Sequence, residues 1–160
     1  MATWSSFAAA APDLAEEVRA LLFQYGSGLG YLATVRADGG PRVHPVSPVI
    51  TDGGLFSFLI DSPKRRDLER DGRFALHAYP AEDTDLEAYV AGQAMRVTDL
   101  ARIERVAARA GAGDALRWRL FEFDLDVAMV HRPMEAPRIW RSRPTSGFRS
   151  RHRQLALIAA

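Results

Sequence analysis

The chain has 160 residues, 48% of them hydrophobic, which is the size and composition of one domain with a substantial core. Its net charge of +1 gives no bulk pull toward nucleic acid, and the lack of cysteine excludes disulfides, thiolate catalysis and cysteine-based zinc sites. No apolar run approaches the roughly 20 residues of a membrane span, and the alanine run Ala8 to Ala11 has no basic leader before it, so a cytoplasmic protein without a secretory signal is expected.

Pro12, followed by Asp13, Glu16 and Glu17, reads as a helix start. Leu14, Val18, Leu21, Leu22 and Tyr25 share one helical face, and Gly26 is a stop, so the first helix is expected over 12–25. The period then changes to that of strands. Tyr31 to Arg36 is β-type, Asp38-Gly39 is a hairpin signal, and Arg42 to Ile50 is the return strand. Pro41, Pro45 and Pro48 mark that strand as edge or bulged. A second hairpin signal, Asp52-Gly53, leads to a third strand, Leu55 to Ile60. These three strands read as a meander feeding a short helix, about 63–71.

Arg73 to Tyr79 and Glu87 to Val97 are the next two strands, with a bend or bulge at Gly92 and an acidic loop between them. Thr98 is a cap for a helix reaching about Ala110, with Leu100, Ile103, Val106 and Ala107 inward and Gly111-Ala112-Gly113 as its end. In the segment Phe121 to Met129, Phe121, Phe123, Leu125, Val127 and Met129 alternate with Glu122, Asp124 and Asp126, the pattern of a half-buried antiparallel strand with a wet acidic face. Arg138 to Arg143 is a candidate last strand. Six or seven strands joined by tight turns, with two or three helices, predict an α+β chain that is mainly β: a closed or split antiparallel barrel. The strands do not alternate with helices as a Rossmann sheet requires. Residues 1–11 and 144–160 read as tails or dimer-contacting arms on a single domain.

Among 21 basic side chains there is one lysine, Lys64, and it lies in the first turn of the helix that follows the third strand. Asp61 or Ser62 is the N-cap and Pro63 fits the first turn, leaving free N–H groups that favour an anion such as a phosphate. Lys64, Arg65 and Arg66 add charge-assisted donors, although helical geometry sends neighbours about 100° apart. The same residues also read as a capped, solvated surface helix. A second candidate is Arg42-Val43-His44-Pro45-Val46, where Arg42, His44 and Val46 share a face and the proline leaves backbone groups free to meet a planar heterocycle. The plainer reading is an exposed barrel edge. His44, His77, His131 and His152 show no metal-ligand spacing, and no Ser-His-Asp arrangement emerges. The arginine-rich run from Arg138 to Arg153 reads as a solvated or subunit-contacting tail.

The two candidates in this order resemble the pyridoxamine 5′-phosphate oxidase-like family of FMN-binding split barrels. The matching text runs from Tyr31 to Val46, then Gly54 to Phe58, then Ser62 to Leu76. The resemblance implies a homodimer with a flavin in each of two clefts between subunits. It implies that Arg42 and the backbone of Val43, His44, Pro45 and Val46 run past the flavin. It places Ser57 and Phe58 beside the ring and ribityl chain, and Ser62, Lys64 and Arg65 at the phosphate. Trp140, from the partner subunit, would pack by the ring.

The chain departs from the family pattern at Pro63, where an arginine is usual, at Ser47, where a lysine is usual, and at Glu87, where a flavin-contacting glutamine is usual. The oxidases' C-terminal motif for substrate phosphate is also missing. Pyridoxamine phosphate oxidation is therefore not expected. The expected function is an FMN-dependent oxidoreductase acting on a small molecule, with no compelling acid or base beyond His44. The alternatives are an F420-dependent reductase of the same fold and a non-catalytic flavin- or haem-binding module. No metal site, nucleic-acid partner or membrane partner is expected.

Overall fold

The structure, a computed structural model, describes residues 1–82, 84–111 and 117–143. Eight antiparallel strands form one curled sheet: β1 (Gly30–Val35), β2 (Pro41–Val46), β3 (Val49–Thr51), β4 (Gly54–Leu59), β5 (Arg73–Ala78), β6 (Glu87–Arg96), β7 (Arg119–His131) and β8 (Arg138–Arg141). Four helices accompany them: α1 (Trp4–Ala10), α2 (Pro12–Leu22), α3 (Pro63–Arg70) and α4 (Leu100–Ala110). The sheet order is β2-β1-β5-β6-β7-β4-β3, with β8 on β7.

That order corrects the expected meander. The return strand breaks at Ser47-Pro48 into β2 and β3, and these halves lie at opposite edges of the sheet. Neither Pro45 nor Pro48 can donate to a ladder, so the chain leaves one edge and joins the other. Two sheet edges joined by two residues require the sheet to curl upon itself, and the result is the split barrel that the strand pattern predicts. Both hairpins form as expected. Asp52 and Gly53 have φ of 48° and 73°, the pair of positive values that a two-residue turn of right-handed strands needs.

The amino terminus is no tail. Thr3 caps α1 by accepting from the Ser6 N–H at 3.3 Å, and Trp4 and Phe7 enter the main core with Leu14, Val18 and Leu22 of α2. Trp140 of β8 packs on Phe7 with ring centroids 4.8 Å apart. α2 stops at Leu22, so Tyr25 lies beyond it, exposed, and Gly26 (φ 89°) turns the connection. α4 is capped by Asp99 rather than Thr98, through bonds from the Ala101 and Arg102 N–H groups at 3.0 and 3.3 Å. Leu100, expected inward, is 67% exposed, because only the Ile103, Val106 and Ala107 side of α4 meets the barrel. Gly111 ends α4 in the left-handed conformation, and Ala112 and Gly113 lie outside the described residues.

β7 also departs from its simple alternation. Phe121, Phe123 and Leu125 are buried as expected, but beyond Asp126 the buried residues are Ala128 and Val130, not Val127 and Met129. Ala91 pairs with Val127 while Gly92 pairs with Leu125, so Asp126 is an extra residue and the phase flips there. The bulge expected at Gly92 is thus real, and a side chain at Gly92 would strike the Asp124 carbonyl of the neighbouring strand. Glu122, assigned to a wet face, is buried, and both its oxygens accept from Arg102 at 2.6 and 2.7 Å.

Candidate functional site

The break between β2 and β3 opens a cavity of about 300 Å³ at the seam of the barrel. Pro45, Val46 and Ser47 supply one wall, and Ser57, Phe58, Leu59 and Ile60 at the end of β4 supply another. Lys64 stands at the start of α3, while Ala110 and Trp118 close the side next to α4. Trp118 lies 6.4 Å from Phe58, ring to ring. The Ser57 hydroxyl donates to the Ser47 carbonyl at 3.3 Å and ties β4 to the connection between β2 and β3. No carboxylate lines this cavity among the described residues.

The cations of α3 divide by partner. Arg65 and Arg66 both bond Asp61 at 2.9 Å, and Arg65 also faces Glu69 at 3.6 Å. Lys64 meets no carboxylate among the described residues; its ammonium reaches the Pro45 carbonyl at 3.5 Å. Burial lowers the Lys64 pKa below the ordinary 10.5, since an ammonium in apolar surroundings loses hydration. Ser62 is the N-cap of α3, but its hydroxyl donates back to the Ile60 carbonyl at 3.1 Å and leaves the helix N–H groups uncapped. The first intrahelical bond runs from the Arg66 N–H to Ser62, so the Lys64 and Arg65 N–H groups have no intrahelical partner.

Arg42 is held elsewhere. Its Nε donates to Asp67 at 2.6 Å, and the same carboxylate accepts from the Thr34 hydroxyl at 3.0 Å and from Arg70 at 3.3 Å. Asp67 is 3% exposed. Burial alone would raise its pKa, but the bonds from Arg42, Thr34 and Arg70 outweigh that and hold it below 3.8. This anchor fastens α3 to β1 and β2, and so sets where Lys64 stands. His44 lies on the same half-buried face of β2 as Arg42 and Val46. Desolvation, then the charges of Lys64 and Arg42, lower its pKa against the opposing pull of Asp67, so it is neutral at pH 7.

Of the residues singled out in the sequence, the cavity brings together Pro45, Val46, Ser57, Phe58 and Lys64. Arg42, Val43, His44, Ser62 and Arg65 flank it without lining it. Glu87 begins β6 opposite His131 and is not among the residues that line the cavity. Trp140 is committed to Phe7 within its own chain. The arginines beyond Arg143 lie outside the described residues. Sequence reading missed Asp67, Trp118 and Ala110. Asp67 resembles any charge of a surface helix, and the other two reach the cavity from a distant segment.

No group of three or more potential metal ligands occurs among the described residues, and no described helix is long and apolar enough to cross a membrane. The curled antiparallel sheet with its seam cavity defines a split-barrel protein. The chain belongs to the pyridoxamine 5′-phosphate oxidase family, whose sequence model matches residues 14–133. No curated protein sequence matches it. Among solved structures it is similar to a haem-binding protein of Mycobacterium smegmatis (TM-score 0.61, 18% identity, 76% of this chain) and spans 56% of that protein's length. It is also similar to a Clostridium acetobutylicum protein related to general stress protein 26 (TM-score 0.60, 14% identity, 86% and 95% of the two chains). A third is HutZ, the haem storage protein of Vibrio cholerae (TM-score 0.56, 19% identity, 72% and 89%). These likenesses concern the fold.

Proposed function

We propose that the seam cavity binds a phosphorylated flavin of the FMN type and that the protein is a flavin-dependent oxidoreductase. The observation that carries this reading is a partly buried lysine that meets no carboxylate among the described residues, on a mainly apolar cavity and at an uncapped helix start. The donor set fits the group. Lys64 and the N–H groups of Lys64 and Arg65 match a phosphate, while Val46, Phe58, Leu59 and Trp118 offer apolar surface to a planar ring. Asp61, the acid beside this helix start, is already neutralised by Arg65 and Arg66. A bound flavin supplies the hydride chemistry. The chain binds it, orients it and excludes water, and His44 is a neutral base close to Lys64. F420, which also carries phosphate, is the alternative ligand of the same class.

A second copy of the chain completes this reading. On the outer face of the sheet the cross-strand row Pro45, Tyr31, His77, Tyr89, Met129 and Ile139 lies beside the row Val43, Ala33, Ala75, Ala91 and Val127. This mainly apolar face, interrupted by His77 and by Arg141 opposite Val127, suits a homodimer.

The second reading is a haem-binding module without catalysis, favoured by the likeness to the Mycobacterium and Vibrio proteins. The cavity lining holds no imidazole, thioether or phenol among the described residues, so an iron ligand would have to come from outside it. Titration with FMN, F420 and haem, followed by absorption, separates the readings. Saturable FMN binding lost in Lys64→Ala supports the flavin site. Haem binding with no response to either flavin overturns it. Reduction of bound flavin by NAD(P)H distinguishes the enzyme from a carrier.

A further inference from the structure

A second cavity, of about 370 Å³, adjoins the first and shares Ser47, Val49 and Ala110 with it as common wall. Its chemistry differs. Pro48, Val49, Ile50 and Phe23 make it apolar on one side, and Ser27, Ser47, Thr51 and Arg109 bring polar groups to it. Arg109 is the only charged residue in this lining among the described residues. It is also the arginine of α4 that the fold leaves uncommitted. Arg102 is held by Glu122 and Asp52, and Arg105 by Asp52, whereas Arg109 pairs with no carboxylate among the described residues. The Ser27 and Thr51 hydroxyls likewise bond no described residue, and the Gly26-Ser27-Gly28 turn is pressed so close to Pro48 that a side chain at Gly28 would strike the Pro48 carbonyl. A guanidinium with no carboxylate partner among the described residues, two hydroxyls that bond no described residue and an apolar wall suit a singly charged organic anion. One guanidinium matches a carboxylate in charge and in its two parallel N–H donors, and among the described residues this cavity has no uncapped helix start of the kind that supplements Lys64.

We propose that this second cavity binds the carboxylate of a small organic acid, with Arg109 as its counter-ion and the acid's apolar part against Val49, Ile50 and Phe23. The site goes beyond the flavin reading and does not depend on it. Where a flavin fills the first cavity, the common wall of Ser47, Val49 and Ala110 sets the acid beside it, the position of a substrate or its product.

The test uses the full chain labelled with nitrogen-15, with benzoate as probe and benzamide as its neutral counterpart. Benzoate should give saturable shifts at the Ser27, Gly28 and Arg109 amides, and benzamide should not. Arg109→Gln should weaken benzoate about tenfold or more, the scale of a lost charge-assisted bond. Arg105→Gln, one turn earlier and engaged with Asp52, should leave benzoate binding unchanged. The proposal is overturned if benzoate gives no saturable shifts, if benzamide shifts the same amides equally, if the response survives Arg109→Gln, or if the shifts centre on Lys64. The two readings fail separately. Lys64→Ala should weaken FMN binding and leave benzoate binding unchanged, and Arg109→Gln should do the reverse.

Discussion

At the scale of single residues, four neighbouring cations behave in different ways because of their acids. Arg42, Arg65 and Arg66 are bound to Asp67 and Asp61, and Lys64 is left with a carbonyl. Lys64→Ala should weaken FMN by roughly 1.5–3 kcal/mol, the scale of a hydrogen bond to a charged group, as read by fluorescence titration. The sign of its pH dependence follows from burial. Desolvation lowers the Lys64 pKa, so the cation, and with it flavin affinity, should fade as pH rises, beginning below the ordinary 10.5. Asp67 makes the opposite kind of prediction. Its folded pKa is depressed, so its contribution to stability is complete above the unfolded value near 3.8 and is lost as pH falls through the lower folded value. Asp67→Asn should cost about 1.5–3 kcal/mol in urea unfolding at pH 7, and that deficit should shrink below pH ~4. Lys64 was legible because a lone lysine at a helix start stands out in an arginine-rich chain. The Arg42–Asp67 pair was not, since the two are 25 positions apart and nothing in either segment marks the other.

At the scale of elements, local chemistry wrote the turns and strands clearly, and long-range pairing rewrote their details. Asp-Gly turns and the proline-led starts of α2 and α3 depend on the few residues that form them, so they could be read directly. The bulge in β7 could not, because the sequence keeps alternating through Asp126 while the partner strand forces an extra residue out of register. Gly92 was the one visible trace of it. Gly92→Ala should destabilise by about 1–3 kcal/mol, as overpacking does, because the new methyl meets the backbone of β7, which cannot swing aside. Thermal unfolding checks it, and an unchanged midpoint would mean that the strands part more easily than their pairing implies. The prolines of the return strand announced an edge. That they also divide it between both edges depends on β7, which lies far along the chain and takes β4 as its neighbour.

At the scale of the molecule, the outer sheet face presents the partly exposed side chains of Tyr31, His77, Tyr89, Met129 and Ile139 across five strands among the described residues. Ala75 sits between Ala33 and Ala91 in the middle of that face. If two copies pack there, Ala75→Arg should give a folded monomer in sedimentation equilibrium while the parent chain sediments as a dimer. A variant that remains dimeric would move the interface to another surface. The same variant should lose flavin affinity if the partner contributes to the cleft, and keep it if one chain suffices. Fold class was legible from strand number, turn spacing and the absence of regular helix alternation. The pairing partners were not, because period-2 patterning tells which side of a strand is buried and not which strand lies beside it.

The passage of the chain from one sheet edge to the other through Ser47-Pro48 has a consequence for time as well as shape. β2 can settle against β1 as soon as that hairpin is made, but β3 and β4 have no place until β7 has been synthesised and docked. The seam cavity should therefore be among the last features to form, since contacts of such long sequence separation fold slowly. A ligand there meets a surface absent from the early chain, so it should act on the rate of opening and leave the rate of closing nearly untouched. In the cell, the bound form would differ from the free form chiefly in how long each molecule survives before it unravels.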